Sequence, residues 1–421
     1  MGKAGIGIAW PALLALLVLA GGCEQGEPEA GAGAAAEGGA PSSVAQQAGQ
    51  DGDEADFRDR LLELALDTAS AMPNNPHIKP KSRAQEGLVA VCLELDRPDR
   101  ALRCIKQIGN WRRGMGYADL AYYLAKRNEN KNVREYLDRA AEMSRFARQA
   151  WRRDRIRVGM AQTYALLGEH EKAAELQGTV VEAETGKTAG VGRSLESDEA
   201  FQDVVRSLDK MVESGNFDLI NNALHAYARL YGRFYENAER RELLERKLRQ
   251  AWEKMPPLVK IRVLRPLTEA AIEHGDSEKA LELADETKAL IDGARWPPRH
   301  HIPLLAEEAE LRFRAGDEEQ ARANTAAARE LFEAKLDDIQ SFDRAETLRP
   351  VAVTYRAMGD TATALEVYRQ VVEQGAVNPN GMQRAVDLSA TLGSMALHGV
   401  EPDDELWGRV REIRAGLGDP W

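Results

Sequence analysis

At four places a glycine is followed five residues later by an alanine: Gly168 and Ala173, Gly275 and Ala280, Gly316 and Ala321, Gly359 and Ala364. Asp96 with Ala101 and Asn128 with Val133 keep the spacing with other residues. The last three glycines lie 41 and 43 positions apart, and Asn128 and Gly168 lie 40 apart. Self-similarity at this period marks stacked helical hairpins, because one hairpin cannot bury its apolar stripe alone. The register predicts an all-α fold, an α-α superhelix with a period of ~40 residues.

The segment around Gly359 shows why. Leu348, Val351, Ala352, Tyr355 and Met358 fall on one face of a first helix, and Ala364, Val367, Tyr368 and Val371 on one face of a second. Between them stands Gly359-Asp360, a dipeptide repeated at Gly275-Asp276 and Gly316-Asp317. Glycine ends a helix by entering the left-handed region without steric cost. Aspartate then accepts from the free amides of the next helix. The alanine lets the two helices approach closely.

The runs Ala161, Tyr164, Gly168, Ala173 and Ala352, Tyr355, Gly359, Ala364 resemble the tetratricopeptide repeat (TPR) pattern. The period is longer than the 34 residues of that family, and its Trp-Leu-Gly start and closing proline are mostly missing. The resemblance implies a degenerate TPR-like superhelix over roughly residues 56–417, with HEAT-like stacking as the rival arrangement. Repeats are expected over 56–184 and 256–421, with a less regular helical segment over 185–255, where Gly215 is the best turn candidate. Gly186, Gly190 and Gly192 interrupt the pattern near the start of that segment.

The N-terminus follows another logic. Lys3 precedes the uncharged run Ile8–Ala20, and Leu19-Ala20-Gly21-Gly22-Cys23 follows. This order matches a secretory signal over residues 1–22, and it resembles the lipobox of bacterial lipoproteins, which implies lipidation of Cys23. Residues 23–55 are rich in Gly, Ala, Glu, Ser and Gln without an apolar period, which predicts a disordered tether. The expected location is the bacterial cell envelope, on its periplasmic or outer side. Cys92 and Cys104 flank one expected hairpin turn, where they are either a disulfide or two small buried hydrophobes.

A net charge of −12 argues against nucleic acid, whose phosphates need a basic footprint. No catalytic motif is complete. Thr185-Gly186-Lys187-Thr188 lacks the first glycine of a phosphate loop, since Val181 stands there. His170-Glu171 lacks the second histidine of a zinc site, and Gly192-Arg193-Ser194 lacks the closing glycine of a nucleophile elbow. His300 and His301 are adjacent on a helix and diverge by about 100°. No enzyme, cofactor or metal is expected; a grouping of His77, His225 or His274 with carboxylates would change that.

Two features remain as binding candidates. Fifteen residues before each turn stands a basic side chain: Lys81, Arg113, Arg153, Lys260, His301, Arg344 and, counting from Gly399, Arg384. Stacking would align these into a ladder that either grips a partner's carboxylates or meets the carboxyl end of the preceding helix. Tyr227, Tyr231 and Tyr235 form a stripe that is either core or the wall of an aromatic pocket. The sequence therefore predicts a membrane-anchored scaffold binding a protein or peptide. A glycan- or small-ligand-binding protein using the tyrosines is the alternative.

Overall fold

In a computed structural model, residues 56–178 and 197–421 are described. The signal sequence, Cys23, the tether, and the glycine interruptions and incomplete motifs of 185–194 lie outside the described residues. Eighteen α-helices and two short 3-10 turns make up the described fold, with no strand among the described residues. Helix α1 (Phe57–Ala71) precedes a series of antiparallel pairs. These are α2 (Asn74–Glu94) with α3 (Pro98–Gln107), α4 (Arg112–Lys126) with α5 (Val133–Phe146), and α6 (Ala150–Leu166) with α7 (His170–Gly178). After α8 (Asp198–Glu213) come α9 (Phe217–Arg233) with α10 (Ala238–Ala251), α11 (Pro257–Glu273) with α12 (Ser277–Asp292), and α13 (Pro298–Ala315) with α14 (Glu318–Ala334). The series ends with α15 (Ser341–Ala357), α16 (Thr361–Ala376), α17 (Gly381–His398) and α18 (Asp404–Ala415).

The turns follow the residues that the register singled out. Gly168, Gly275, Gly316, Gly359 and Gly399 all have positive φ. Asp96 and Asn128 adopt φ 60 at the same structural position, a conformation that Asp and Asn tolerate better than most residues. The carboxylates of Asp276, Asp317 and Asp360 accept from the amides of Lys279, Gln320 and Thr363, capping α12, α14 and α16. Ala101, Ala173, Ala280, Ala321 and Ala364 are fully buried at the close contact within each pair. The segment from 197 to 255 supplies α8 and the α9–α10 pair. Gly215, the expected turn residue of this segment, has φ 67 and joins α8 to α9, while within the α9–α10 pair a four-residue link, Phe234–Asn237, stands in place of a short turn.

The first helices of the pairs form an inner row. In space the order runs α9, α11, α13, α15, α17, then α2, α4 and α6, each packing on the next. The Thr354 hydroxyl donates to the Ala306 carbonyl at 2.9 Å, tying α15 to α13. The step from α17 to α2 joins the two ends of the chain. Helix α1 lies against α17 in the place of a hairpin partner and is packed there far more closely than α18. At this seam Arg414 bonds Asp67 at 2.8 Å, and the Arg60 guanidinium sits 5.3 Å from the Trp407 ring. One continuous apolar core runs across the seam, from Leu61 in α1 through Leu392 in α17. A second core holds α8 to α13 together.

The sequence predicted an all-α superhelix, and the fold is an all-α repeat solenoid. Its concave side is not an open groove, however, because burying the apolar faces of α1 and α2 against α17 closes the array at that seam. Charge influences run across the interior. Lys126 at the end of α4 acts on Glu273 at the end of α11, although α13, α15, α17 and α2 intervene along the row. The row therefore curls into a ring-like array around a polar interior.

Candidate functional site

The basic ladder is assembled, but five of its seven groups are engaged by the main chain. Arg113, Arg153, Lys260, Arg344 and Arg384 each sit in the first turn of an inner helix, where the long side chain reaches back to carbonyls of the preceding connection. Arg113 Nε donates to the Ile108 carbonyl at 2.6 Å, and Arg344 Nε to the Ile339 carbonyl at 2.9 Å. Arg153 Nη1 reaches the carbonyls of Ala147 and Arg148, and Arg384 Nη1 those of Asn378 and Pro379. Lys260 Nζ meets the Glu253 carbonyl at 3.2 Å. Helix carboxyl ends leave carbonyls without partners and carry partial negative charge, so a cation is favoured there. Of the two roles open to the ladder in sequence, these bonds are the capping one.

The tyrosine stripe lies in the second core. Tyr227 and Tyr231 are fully buried and Tyr235 nearly so. Tyr227 Oη donates to Asp209 at 2.8 Å, fixing α9 to α8, and Tyr235 Oη donates to Asp276 at 2.8 Å, fixing it to the start of α12. The rings of Tyr231 and Tyr235 meet edge to face at 5.5 Å. No ring face is offered to a glycan, so an aromatic ligand pocket at these residues is replaced by core packing. His274 stacks on Tyr235 and bonds Glu236 at 2.6 Å. His77 belongs to α2 and His225 to α9. Among the described residues no group of side chains could hold a metal ion. Cys92 and Cys104 are buried free thiols; their mutual contact, then burial, pushes the Cys92 thiol up.

The interior surface carries the polar groups that sequence reading missed. Arg265 of α11 is the centre of one cluster: it bonds Glu269 at 3.0 Å, Glu307 of α13 at 3.2 Å, and lies 3.9 Å from Glu310. The Glu307 side chain is 41% exposed and that of Arg265 26%, so the cluster is wet although protein surrounds it. Burial alone would lower the Arg265 pKa, but Glu307, Glu310 and Glu269 together raise it. Glu310 also acts on His398 of α17, whose pKa burial holds below the usual histidine range.

A second cluster joins α2, α4 and α6. Glu86 bonds Arg112 and feels Arg155 and Arg83. Beside it the Asp119 carboxyl is pushed up to about 7 by burial and by the charge of Glu86. Burial lifts Glu94 to about 7 as well. At the mouth of this cluster Trp111 and Trp151 meet edge to face at 5.2 Å, with Arg112 and Arg152 over their faces.

These positions obey the register that exposed the ladder. Glu269 and Glu310 stand six residues before Gly275 and Gly316, and Asp119 and Glu307 nine before Asn128 and Gly316. Polar residues there read as outer solvent face in sequence, because periodicity separates buried from unburied and cannot separate inside from outside.

No protein-family model matches the chain, and no curated protein matches it. Among solved structures it is similar to a "Circular tandem repeat protein with novel repeat topology and enhanced subunit contact surfaces". The identity is 16%, covering 86% of this chain and 94% of that one, with a TM-score of 0.27.

Proposed function

We propose that this chain is an envelope-anchored, TPR-like scaffold that holds a protein or peptide partner against the interior face of its solenoid. A helical-repeat scaffold fits a protein-interaction role. The observation that carries the finer reading is the Arg265–Glu269–Glu307–Glu310 cluster. Its ion pairs join neighbouring inner helices, remain open to water, and present both charges in fixed places. Such a surface suits a polar, mixed-charge segment, because preorganised charges select a complementary partner more than they stabilise the fold. Anchoring would come from a lipid on Cys23, with residues 23–55 as the tether; a flexible chain of that length spans roughly 30 Å.

The test is position-specific photo-crosslinking in the native host. A crosslinker at Glu310 on the inner face, or at Tyr122, which stands six residues before Asn128 in α4 as Glu310 does before Gly316, is expected to capture one reproducible protein, while one at Glu366 on α16 captures none. Equal capture from inner and outer positions, or none from either, would refute the reading. Anchoring is checked separately: Cys23→Ser should move the protein from the membrane fraction to the soluble fraction.

A further inference from the structure

The two ends of the hairpins differ in chemistry. One rim holds the short turns with their aspartate caps, and in the turns 94–101, 126–135, 167–172, 234–241, 273–279, 315–319, 358–361 and 399–405 acidic side chains outnumber basic ones about two to one. The other rim holds the connections 72–81, 107–113, 145–153, 213–217, 251–260, 292–301, 335–344 and 376–384. There basic side chains outnumber acidic ones about five to two, against the sign of the whole chain.

The same basic rim carries most of the large apolar side chains that the described fold leaves in water. Phe146 ends α5 and is 71% exposed, Phe217 opens α9 at 53%, Phe342 opens α15 at 45%, and Val377 follows α16 at 58%. Phe146 stands between Arg145 and Arg148, both exposed. The arginines engaged with carbonyls keep their charge and add to the field of this rim.

We infer that this rim docks on an anionic membrane surface. Protruding apolar side chains on a rim of net positive charge, Phe146 among them flanked by arginines, match the two layers of such a surface, since the rings enter the acyl boundary while the cations meet the phosphates. Charge alone would also permit the acidic rim of a second copy to dock here. Among the described residues the opposite rim, however, offers one large exposed apolar side chain, Leu166, to meet these four. Lipid satisfies both the charge and the apolar side chains; a second copy satisfies only the charge. The inference does not depend on a partner at the inner face.

The test uses the full-length chain with Cys23→Ser, so that no acyl group contributes. Co-sedimentation is measured with vesicles of phosphatidylcholine alone and with vesicles containing about a third phosphatidylglycerol. Binding through the uncharged run Ile8–Ala20 is common to both, so the difference between them reports the rim. Phosphatidylglycerol-dependent binding is expected to fall with added salt. It should fall at least about tenfold in the double variant Arg145→Glu, Arg148→Glu, and markedly in Phe146→Ser with Phe342→Ser. All four side chains are at least partly exposed, and an unchanged helical signal and melting temperature confirm folding. Equal binding to both vesicles, or variants that bind like the parent, would overturn the inference. Loss of self-association in the variants with vesicle binding intact would assign the rim to a second copy instead.

Discussion

Arg414 in the last helix donates to Asp67 in the first, Nε to Oδ2 at 2.8 Å, across 347 positions of sequence. The ion pair marks the seam but does not hold it, because an exposed pair contributes only about 0–1 kcal/mol. The buried face of α1 does that, through Leu61, Leu62, Ala65 and Ala69.

Leu61→Ala should therefore cost about 2–5 kcal/mol, and Arg414→Ala less than about 1 kcal/mol. Urea unfolding of both variants measures this. A cost for Leu61→Ala as small as for Arg414→Ala would mean that α1 is a loose end. Gly393→Val probes the same seam, since even a Cβ there would lie 3.2 Å from Leu88 Cδ2 of α2.

The turn positions give opposite signs in a matched pair. Gly316 has φ +105 and an added Cβ would meet nothing within 4 Å, so Gly316→Ala should lose about 1–2 kcal/mol from backbone strain alone. Asn128 adopts φ 60 at the equivalent turn, and Asn128→Gly should gain up to about 1 kcal/mol. Thermal melts of the two variants should shift in opposite directions. Shifts of the same sign would detach the turns from the left-handed conformation.

Arg344→Ala and Arg384→Ala should each lose about 1 kcal/mol, the loss expected when helix-end carbonyls give up a charged donor. Photo-capture of a partner at Glu310 should survive both changes. A variant of normal stability that captures nothing would return the ladder to the binding role.

Asp387 is 3% exposed and its Oδ2 has no hydrogen-bond partner. Burial pushes its carboxyl up to about 7, against the pull of Arg349 and the bond from Gln383. An unfolded aspartate titrates near 4, so between about pH 4 and pH 7 the folded chain keeps a proton that the unfolded chain has lost. Its contribution to stability is complete below about pH 4 and is lost as pH rises through about 7. Asp387→Asn should leave stability at about pH 3 little changed and raise it at about pH 8, by on the order of 2–4 kcal/mol. Denaturant midpoints at the two pH values decide it; an equal change at both would show that the carboxyl does not titrate there.

Much of the local structure was legible because it is written in residues with few conformational options. Gly168, Gly275, Gly316 and Gly359 mark turns that L side chains resist, and Asp276, Asp317 and Asp360 mark the caps that follow. The α9–α10 link was harder to read, since Phe234–Asn237 joins its helices without such a glycine. The ladder was visible as a pattern, but its bonding was not: an arginine that grips a carbonyl and one that faces a ligand have the same spacing. Tyr227 and Tyr231 show the same limit, because a stripe at helical period does not say whether a helix or water covers it.

The sequence by itself determined the repeat, the hairpin turns, the caps and the placement of one basic residue per unit. All of these depend on contacts within about forty residues, which the period displays directly. Only the tertiary structure decided that α1 closes on α17, that the tyrosines are core, and that Arg265, Glu307 and Glu310 share one interior face. Those outcomes depend on the small rotation from each hairpin to the next, summed around the whole array. No single repeat encodes that sum, so the meeting of Asp67 with Arg414 is a property of all the interfaces together.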